Sequence, residues 1–206
     1  MSSAYTLDSL DAVREIIGEP SQMMPMKLHD SLDEKSMGFI RRSPMLLLAT
    51  AGSDGTPEVS PKGDQPGFVA VERPTTLLVP ERKGNRLIFS LQNILDNPQV
   101  AMIFLIPGTE ETLRVQGRAE LTADPELCER FTARGRPALL VTRVMVERCY
   151  FHCAKAFKRS RLWDPDSWPP RQRVSFGAQA RDRLGLDDET AAQIDATVDE
   201  DYRTNL

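Results

Sequence analysis

The amino-acid sequence predicts a mainly β protein with peripheral helices, an α+β fold centred on a closed or partly closed barrel. Short apolar runs separated by turn residues fill the middle of the chain. Apolar residues at helical spacing are confined to the two ends and to short connections. Six or so strands at irregular spacing favour a barrel, because closure removes exposed strand edges.

The first elements of the chain are predicted to be helices. Apolar residues recur at helical spacing between Asp8 and Gly18, which predicts a short amphipathic helix. A second helix is predicted over about residues 31–40, because apolar side chains there share one face before Pro44 breaks the pattern. Both belong to an N-terminal helical segment, residues 1–42, that we expect to pack on the barrel.

Strand patterns begin at Pro44. The Asp54-Gly55 pair between two extended runs is a strong hairpin signal. Thr112–Leu121 alternates most cleanly, with Leu113 on its apolar face and Arg114 on its polar face. The other predicted strands are Met45–Thr50, Pro57–Pro61, Gly67–Val71, Thr76–Val79, Gln99–Ile106 and Ala138–Val146.

Two short helices are predicted between the strands, at Ser90–Asp96 and at Asp124–Ala133. Asp124 is suited to cap the second, because Pro125 follows it in the first helical turn. The barrel is expected to occupy residues 43–165. The chain then turns acidic after Asp182, and residues 166–206 are expected to form an acidic helical extension.

Composition limits the classes of function. The 206 residues carry 26 basic and 30 acidic side chains, a net charge of −4, so the overall charge recruits neither nucleic acid nor an anionic membrane. The start of the chain lacks a secretory signal pattern, and no apolar run approaches the ~20 residues that span a bilayer. Three cysteines without framework spacing fit a reducing compartment, and we expect a cytoplasmic protein.

Several catalytic signatures are missing from the sequence. It contains no Gly-rich dinucleotide fingerprint and no Walker loop, which disfavours Rossmann and P-loop folds. Its two histidines, His29 and His152, have no nucleophile motif beside them. We therefore do not expect a hydrolase.

The segment Cys149-Tyr150-Phe151-His152-Cys153 places three soft ligands within five residues and raises a zinc hypothesis. A fourth ligand would have to come from Cys128 or His29. The alternative is a buried strand-to-helix junction in which cysteine packs as a small apolar residue. We favour that alternative and predict no metal site.

Two turns carry the residues of a possible anion site. Ser60-Pro61-Lys62-Gly63-Asp64 closes one strand with a hydroxyl and a cation. Pro80–Arg86 places three cations around a Gly-Asn turn that leads into the helix near Ser90. Cations and free N–H groups at a helix start favour a phosphate monoester. A solvated surface loop is the competing interpretation of the second turn.

These segments, in this order, resemble the FMN-binding split-barrel family of pyridoxamine 5′-phosphate oxidase-like proteins. The similarity runs from about Ser43 to Trp163 and is closest to the bacterial FMN-dependent subgroup. The matching segments are Ser43–Thr50, Asp54-Gly55, Ser60–Asp64, Arg82–Arg86, Asn97–Val100, Thr112–Ala119, Tyr150–Ala156 and Arg159–Trp163.

The resemblance implies a homodimer with FMN in two clefts between the protomers. It implies that residues of two elements bind the phosphate end of the cofactor, Ser60, Lys62 and Gly63 in the first and Arg82, Asn85, Arg86 and Ser90 in the second. Thr112 and Arg114 match a strand that contacts the cofactor. A C-terminal element that completes the cleft is matched by Lys155, Arg159 and Trp163.

The function implied by the resemblance is an FMN-dependent oxidoreductase that acts on an unidentified small molecule. The C-terminal Arg-x-His segment with which pyridoxamine phosphate oxidases hold their substrate is not recognisable, so vitamin B6 oxidation is not expected. The alternatives are a flavin-binding or redox-sensing module without turnover, or a split-barrel protein that binds haem or a deazaflavin.

The basic stretch at Lys155–Arg161 leads to an expectation about the substrate. If it lies beside the flavin, it attracts anions, of which NAD(P)H is the most available reductant. Trp163 could then stack on the flavin or on an incoming aromatic ring. The competing interpretation is that these cations pair with the acidic tail after Asp182.

Overall fold

The computed structural model describes residues 5–21 and 24–205, which form one antiparallel sheet with helices around it. The seven strands are arranged in the order β2-β1-β5-β6-β7-β4-β3. Their bounds are β1 Met45–Ala51, β2 Pro57–Gly63, β3 Ala70–Arg73, β4 Thr76–Glu81, β5 Gln99–Leu105, β6 Thr112–Thr122 and β7 Leu140–His152. The prediction of a mainly antiparallel β protein with several helices is confirmed, and the curled sheet is consistent with a split barrel.

The described helices lie between the strands and at both ends of the chain. Their bounds are α1 Leu10–Ile17, α2 Glu34–Arg42, α3 Phe89–Asp96, α4 Pro125–Arg130, α5 Lys155–Ser160, α6 Phe176–Leu184 and α7 Asp188–Thr204. Helix α4 ends earlier than predicted because the chain turns back at Ala133–Arg136. In the described part of the chain, no helix is long and apolar enough to cross a bilayer.

The two longest strands, β6 and β7, connect the halves of the sheet. They pair from Thr112↔His152 to Thr122↔Val141, with a bulge between Gln116 and Gly117. Strand β4 pairs with β7 only as far as Met145. Beyond that point the backbone of His29 pairs with Cys149 and covers the edge of β7 that β4 leaves open.

The main core lies on the inner face of the curled sheet. Leu46, Phe104 and Leu113 form one row across β1, β5 and β6, and all three are fully buried. Helices α2 and α3 close this core with residues such as Ile40 and Ile94. Leu127 of α4 belongs to a separate cluster against β4 and β7.

Only one of the two helices in the N-terminal segment packs on the barrel. We expected the N-terminal segment to pack on it, and α2 does so. Helix α1 instead buries no residue, and its Ile16 and Ile17 remain 71% and 74% exposed. Its apolar stripe therefore has no partner within the described part of the chain.

The C-terminal helices form a close hairpin with few contacts to the barrel. The Cα of Gly177 approaches Ala191 so closely that a Cβ would lie 1.9 Å from its carbonyl oxygen. Asp195 accepts hydrogen bonds from the Gly177 N–H and the Ser175 hydroxyl, and these lower its pKa below the ordinary value. The hairpin reaches the barrel at Thr204 and Asn205, the end of α7.

Gly117→Ala tests the bulge between β6 and β7, because a Cβ at this position would lie 1.9 Å from the Met145 carbonyl oxygen. We expect the overpacking to lower the free energy of unfolding by about 1–3 kcal/mol. Gly38→Ala in α2 is the matched control, since nothing lies within 4 Å of its would-be Cβ. The control should gain about 0.5–1 kcal/mol of stability. Equal denaturation midpoints for the two variants would contradict the bulge geometry.

Candidate functional site

An open cleft of about 680 Å³ lies where the carboxyl ends of β2 and β4 meet the start of α3. Seven of the residues that the sequence assigned to a cofactor line this cleft. They are Ser60, Lys62, Gly63, Arg82, Asn85, Arg86 and Ser90. The two turns that were far apart in the sequence are therefore brought together by the curl of the sheet.

Two of the cations in the cleft are held by carboxylates. Lys62 Nζ lies 2.6 Å from Glu81 Oε2, and the two side chains are only 16% and 8% exposed. The Thr142 hydroxyl donates to Glu81 Oε1 over 3.4 Å. Arg82 Nε lies 2.9 Å from Asp64 Oδ2, and its Nη1 donates to the Phe131 carbonyl. Both cations are therefore fixed in orientation and largely neutralised.

Glu81 is the functional candidate that the sequence analysis missed. It follows the apolar run of β4 directly, and its side chain turns into the cleft with that of Lys62. The signal available in the sequence was a carboxylate directly after an apolar run. Its partner lies 19 positions earlier in the chain, on a strand that does not pair with β4, so sequence spacing alone could not identify it.

The loop between β4 and α3 forms one side of the cleft, and its backbone is strained. Arg86 and Ile88 have φ angles of 63° and 49°, a left-handed conformation that is unusual for a β-branched residue such as isoleucine. Ile88 is also the N-cap of α3, and no side chain caps the helix there. Backbone strain of this kind is typical of segments that bind ligands.

The remaining five predicted site residues do not line this cleft. Thr112 and Arg114 lie on β6, where Thr112 is buried and Arg114 Nε is buried without a hydrogen-bond partner among the described residues. Lys155 and Arg159 are exposed on α5. Trp163 is half-buried beyond α5.

Trp163 already makes contacts within its own chain. Its ring stacks on Phe157 with a centroid distance of 5.7 Å and an interplanar angle of 16°. Its Nε1 donates to the Thr109 carbonyl over 3.0 Å. One face and the only donor of the indole are therefore used, so the expected stacking on a flavin or an incoming ring would depend on the opposite face.

Two cations of the basic stretch after β7 form ion pairs. Lys158 pairs with Glu110, which raises the pKa of Lys158, and Arg161 pairs with Asp164, which lowers the pKa of Asp164. The competing interpretation, that these cations pair with the acidic tail, is wrong for Lys158 and Arg161, because their partners Glu110 and Asp164 lie outside that tail. Arg159 has no ion-pair partner among the described residues.

Strand β7 contains the cysteine segment that raised the zinc hypothesis up to His152 and ends before Cys153. Cys149 is fully buried in β7, where its Sγ donates to the Ser31 carbonyl and burial raises the pKa of its thiol. Cys153 is exposed beyond the strand end. The described residues contain no group of three or more histidine, cysteine or carboxylate side chains placed to hold a metal ion.

A double-mutant cycle of Lys62→Met and Glu81→Gln, in the protein without added ligand, measures the coupling energy of the buried ion pair. Each single change should cost about 1–3 kcal/mol of stability, because it leaves a shielded partner without its hydrogen bond. The double change should cost less than the sum. The exposed pair Arg143–Glu120 is the control and should show a coupling of only about 0.2–1 kcal/mol. Additive losses at Lys62 and Glu81 would contradict the pairing.

The chain is similar in structure to several solved proteins. It shares 19% identity with the HupZ protein of Group A Streptococcus, with 58% of this chain and 93% of that chain covered at a TM-score of 0.48. It shares 18% identity with general stress protein 26 of Bacillus anthracis, with 57% of this chain and 91% of that chain covered at a TM-score of 0.45. It shares 9% identity with an FMN-binding protein of Syntrophomonas wolfei, with 70% of this chain and 97% of that chain covered at a TM-score of 0.47.

A match to a family model identifies the family of the chain. No curated protein matches the chain. The family model described as pyridoxamine 5′-phosphate oxidase matches residues 32–153, from the segment before α2 to the end of β7. This match covers more than half of the chain and includes the whole sheet. The chain therefore belongs to the pyridoxamine 5′-phosphate oxidase family.

Proposed function

We propose that this protein is a homodimeric FMN-dependent oxidoreductase that acts on a small molecule. The observation that carries the proposal is the composition of the cleft between β2, β4 and α3. Its lining has four cations, Lys62, Arg82, Lys83 and Arg86, against one carboxylate, Glu81. This excess of positive charge suits a phosphate ester, and family membership makes FMN the phosphate ester to test first.

The residues of the cleft differ in how strongly they would bind the phosphate of FMN. Because Lys62 and Arg82 are paired with carboxylates, the strongest contacts would come from Arg86 and from hydroxyl groups such as that of Ser60. The uncapped N-terminus of α3 adds backbone N–H donors on the same side. Lys62 would then act as an oriented donor, held by Glu81, rather than as a free counter-charge.

The apolar lining of the cleft fits the ring of the cofactor. Ile88, Leu91, Leu139 and Leu140 face the same space as the cations. An apolar wall beside a cationic end is the arrangement that a flat ring with a phosphate tail requires. When bound, FMN would supply the electron and hydride transfer, while the protein binds it, orients it and shields it from water.

Arg86→Ala tests the phosphate assignment. Loss of one charge-assisted hydrogen bond should weaken FMN binding about tenfold or more, and riboflavin, which lacks the phosphate, should bind as before. Fluorescence titration of both flavins measures this difference. Arg183→Ala is the matched control, because Arg183 is exposed on α6 and has no ion-pair partner in the described chain. Equal losses of FMN and riboflavin would contradict the assignment.

The absorption spectrum of the protein purified without added cofactor separates the rival ligands. Flavin bands support the proposal, whereas a Soret band or a deazaflavin spectrum would overturn it. Turnover is tested by steady-state oxidation of NADPH, which we propose as an anionic reductant. A flavin-loaded protein that no reductant reduces would be a binding or sensing module rather than an enzyme.

The homodimer is proposed from the outer face of the sheet. Leu47 and Ile103 pair across β1 and β5, and Arg114 follows Ile103 on β6, so all three lie on the face opposite the core. Leu47 and Ile103 are only half-buried, and the unpartnered Nε of Arg114 lies in the same row. A second copy covering this face would bury apolar surface. It would also bring Thr112, Arg114, Lys155, Arg159 and Trp163 of one protomer to the cleft of the other.

Ile103→Glu should convert the dimer into a monomer and abolish FMN binding, because a carboxylate would be buried at the centre of the interface. Light scattering with bound flavin measured on the same sample tests both effects. Leu184→Glu is the control, since Leu184 is 73% exposed on α6. A wild-type monomer that retains FMN would contradict the proposal.

Mixing variants tests whether the cleft is shared between protomers. Arg86→Ala and Arg159→Ala homodimers should each bind FMN weakly. Exchange of subunits between them would create heterodimers in which one cleft carries both arginines, so the mixture should regain tight binding. No gain on mixing would mean that each cleft is built from one protomer.

A further inference from the structure

A second cavity, of about 310 Å³, adjoins the cleft on the side of α4 and α7. Its walls are the Arg82-Lys83 loop, the turn at Ala133–Arg136 and the end of α7. The lining residues are Gly63, Asp64, Arg82, Lys83, Ala133, Arg134, Arg136, Pro137, Leu139 and Asn205. Nothing in the family match assigns a role to the turn or to α7 in such a site.

The charge of this cavity is strongly unbalanced. Four of its lining residues, Arg82, Lys83, Arg134 and Arg136, are cations, and Asp64 is its one lining carboxylate. Asp64 is already paired with Arg82. The other three cations have no ion-pair partner among the described residues, so three positive charges face a small volume without a counter-charge. These cations are therefore available to an anion that enters the cavity.

The turn that carries two of these cations is rigid. Ala133 and Arg136 exchange both backbone hydrogen bonds, at 2.9 and 3.0 Å. Arg134 and Gly135 between them both have positive φ angles, 52° and 73°, which is the pattern of a tight two-residue hairpin turn. A non-glycine residue in this conformation is uncommon. The turn therefore presents Arg134 and Arg136 from a fixed backbone.

Neutral oxygens at the end of α7 accept one hydrogen bond each from two of these cations. Arg136 Nη2 donates to the Thr204 carbonyl over 3.0 Å, and Lys83 Nζ donates to Asn205 Oδ1 over 2.8 Å. The amide nitrogen of Asn205 donates to Asp201 Oδ1, which fixes the orientation of its oxygen. These acceptors carry partial charge only, so a phosphate would form stronger bonds with the same donors.

We propose that this cavity binds a small organic phosphate. Guanidinium groups match the phosphate oxygens, and Ala133, Pro137 and Leu139 offer an apolar wall for the body of the ligand. The cavity shares Gly63, Arg82, Lys83 and Leu139 with the cleft, so the ligand lies beside it. The proposal concerns the binding of phosphate in this second cavity and does not depend on the proposed function.

Calorimetric titration of inorganic pyrophosphate into the full chain, with FMN added in excess, tests the site. Arg134→Ala and Arg136→Ala should each weaken pyrophosphate binding about tenfold. Arg183→Ala, which removes an exposed cation that lines neither cavity, should leave it within about twofold. Arg136→Lys, which keeps the charge but not the guanidinium, should lie between wild type and Arg136→Ala.

Two results would overturn the proposal: unchanged binding in both turn variants, or an equal loss in Arg183→Ala, which would indicate a general effect of charge. Because Arg134 and Arg136 are exposed, each variant should unfold at the same temperature as wild type. If a variant unfolds at a lower temperature, the titration is carried out below its midpoint, where it is folded. Failure of FMN to bind would overturn the proposed function alone, since pyrophosphate binding would still depend on the turn.

Discussion

Two ion pairs hold together the ends of the curled sheet, where no backbone ladder joins them. In the order of strands, β2 is one edge and β4 lies next to the other edge. Lys62 and Asp64, in and directly after β2, pair with Glu81 and Arg82, in and directly after β4. The barrel is therefore closed by side chains at this point, and the gap left between the strands is the candidate cleft.

This construction couples stability to binding. Lys62 and Arg82 stabilise the closed sheet and also line the cleft, so a bound anion would draw on cations that already have partners. Arg86, Arg134 and Arg136 have no ion-pair partner in the described chain. A phosphate gains most from such unpaired cations, which is why both proposed sites depend on loops and turns rather than on the strands.

The sequence predicted local features far better than contacts between distant segments. The alternation in Thr112–Leu121 and the Asp54-Gly55 turn identified β6 and the β1–β2 hairpin, because these patterns depend on neighbouring residues. The family resemblance placed seven site residues in one cleft. It could not reveal the pairing of Lys62 with Glu81, the stacking of Trp163 on Phe157 or the exposure of α1, since each depends on which segments meet in space.

The order of strands also has a consequence for how the chain folds. The hairpins β1–β2, β3–β4 and β5–β6 join strands that are neighbours in sequence, and β6 pairs with β7 across the connection that contains α4. By contrast, the β1–β5 and β4–β7 pairings close loops of several tens of residues. Pairings of this kind form slowly, because the entropy of loop closure is lost before the contacts are gained. The hairpins can therefore form early, while the ion pairs between β2 and β4 must wait for the last long-range pairing. A cofactor that binds across that junction would select chains whose folding is complete.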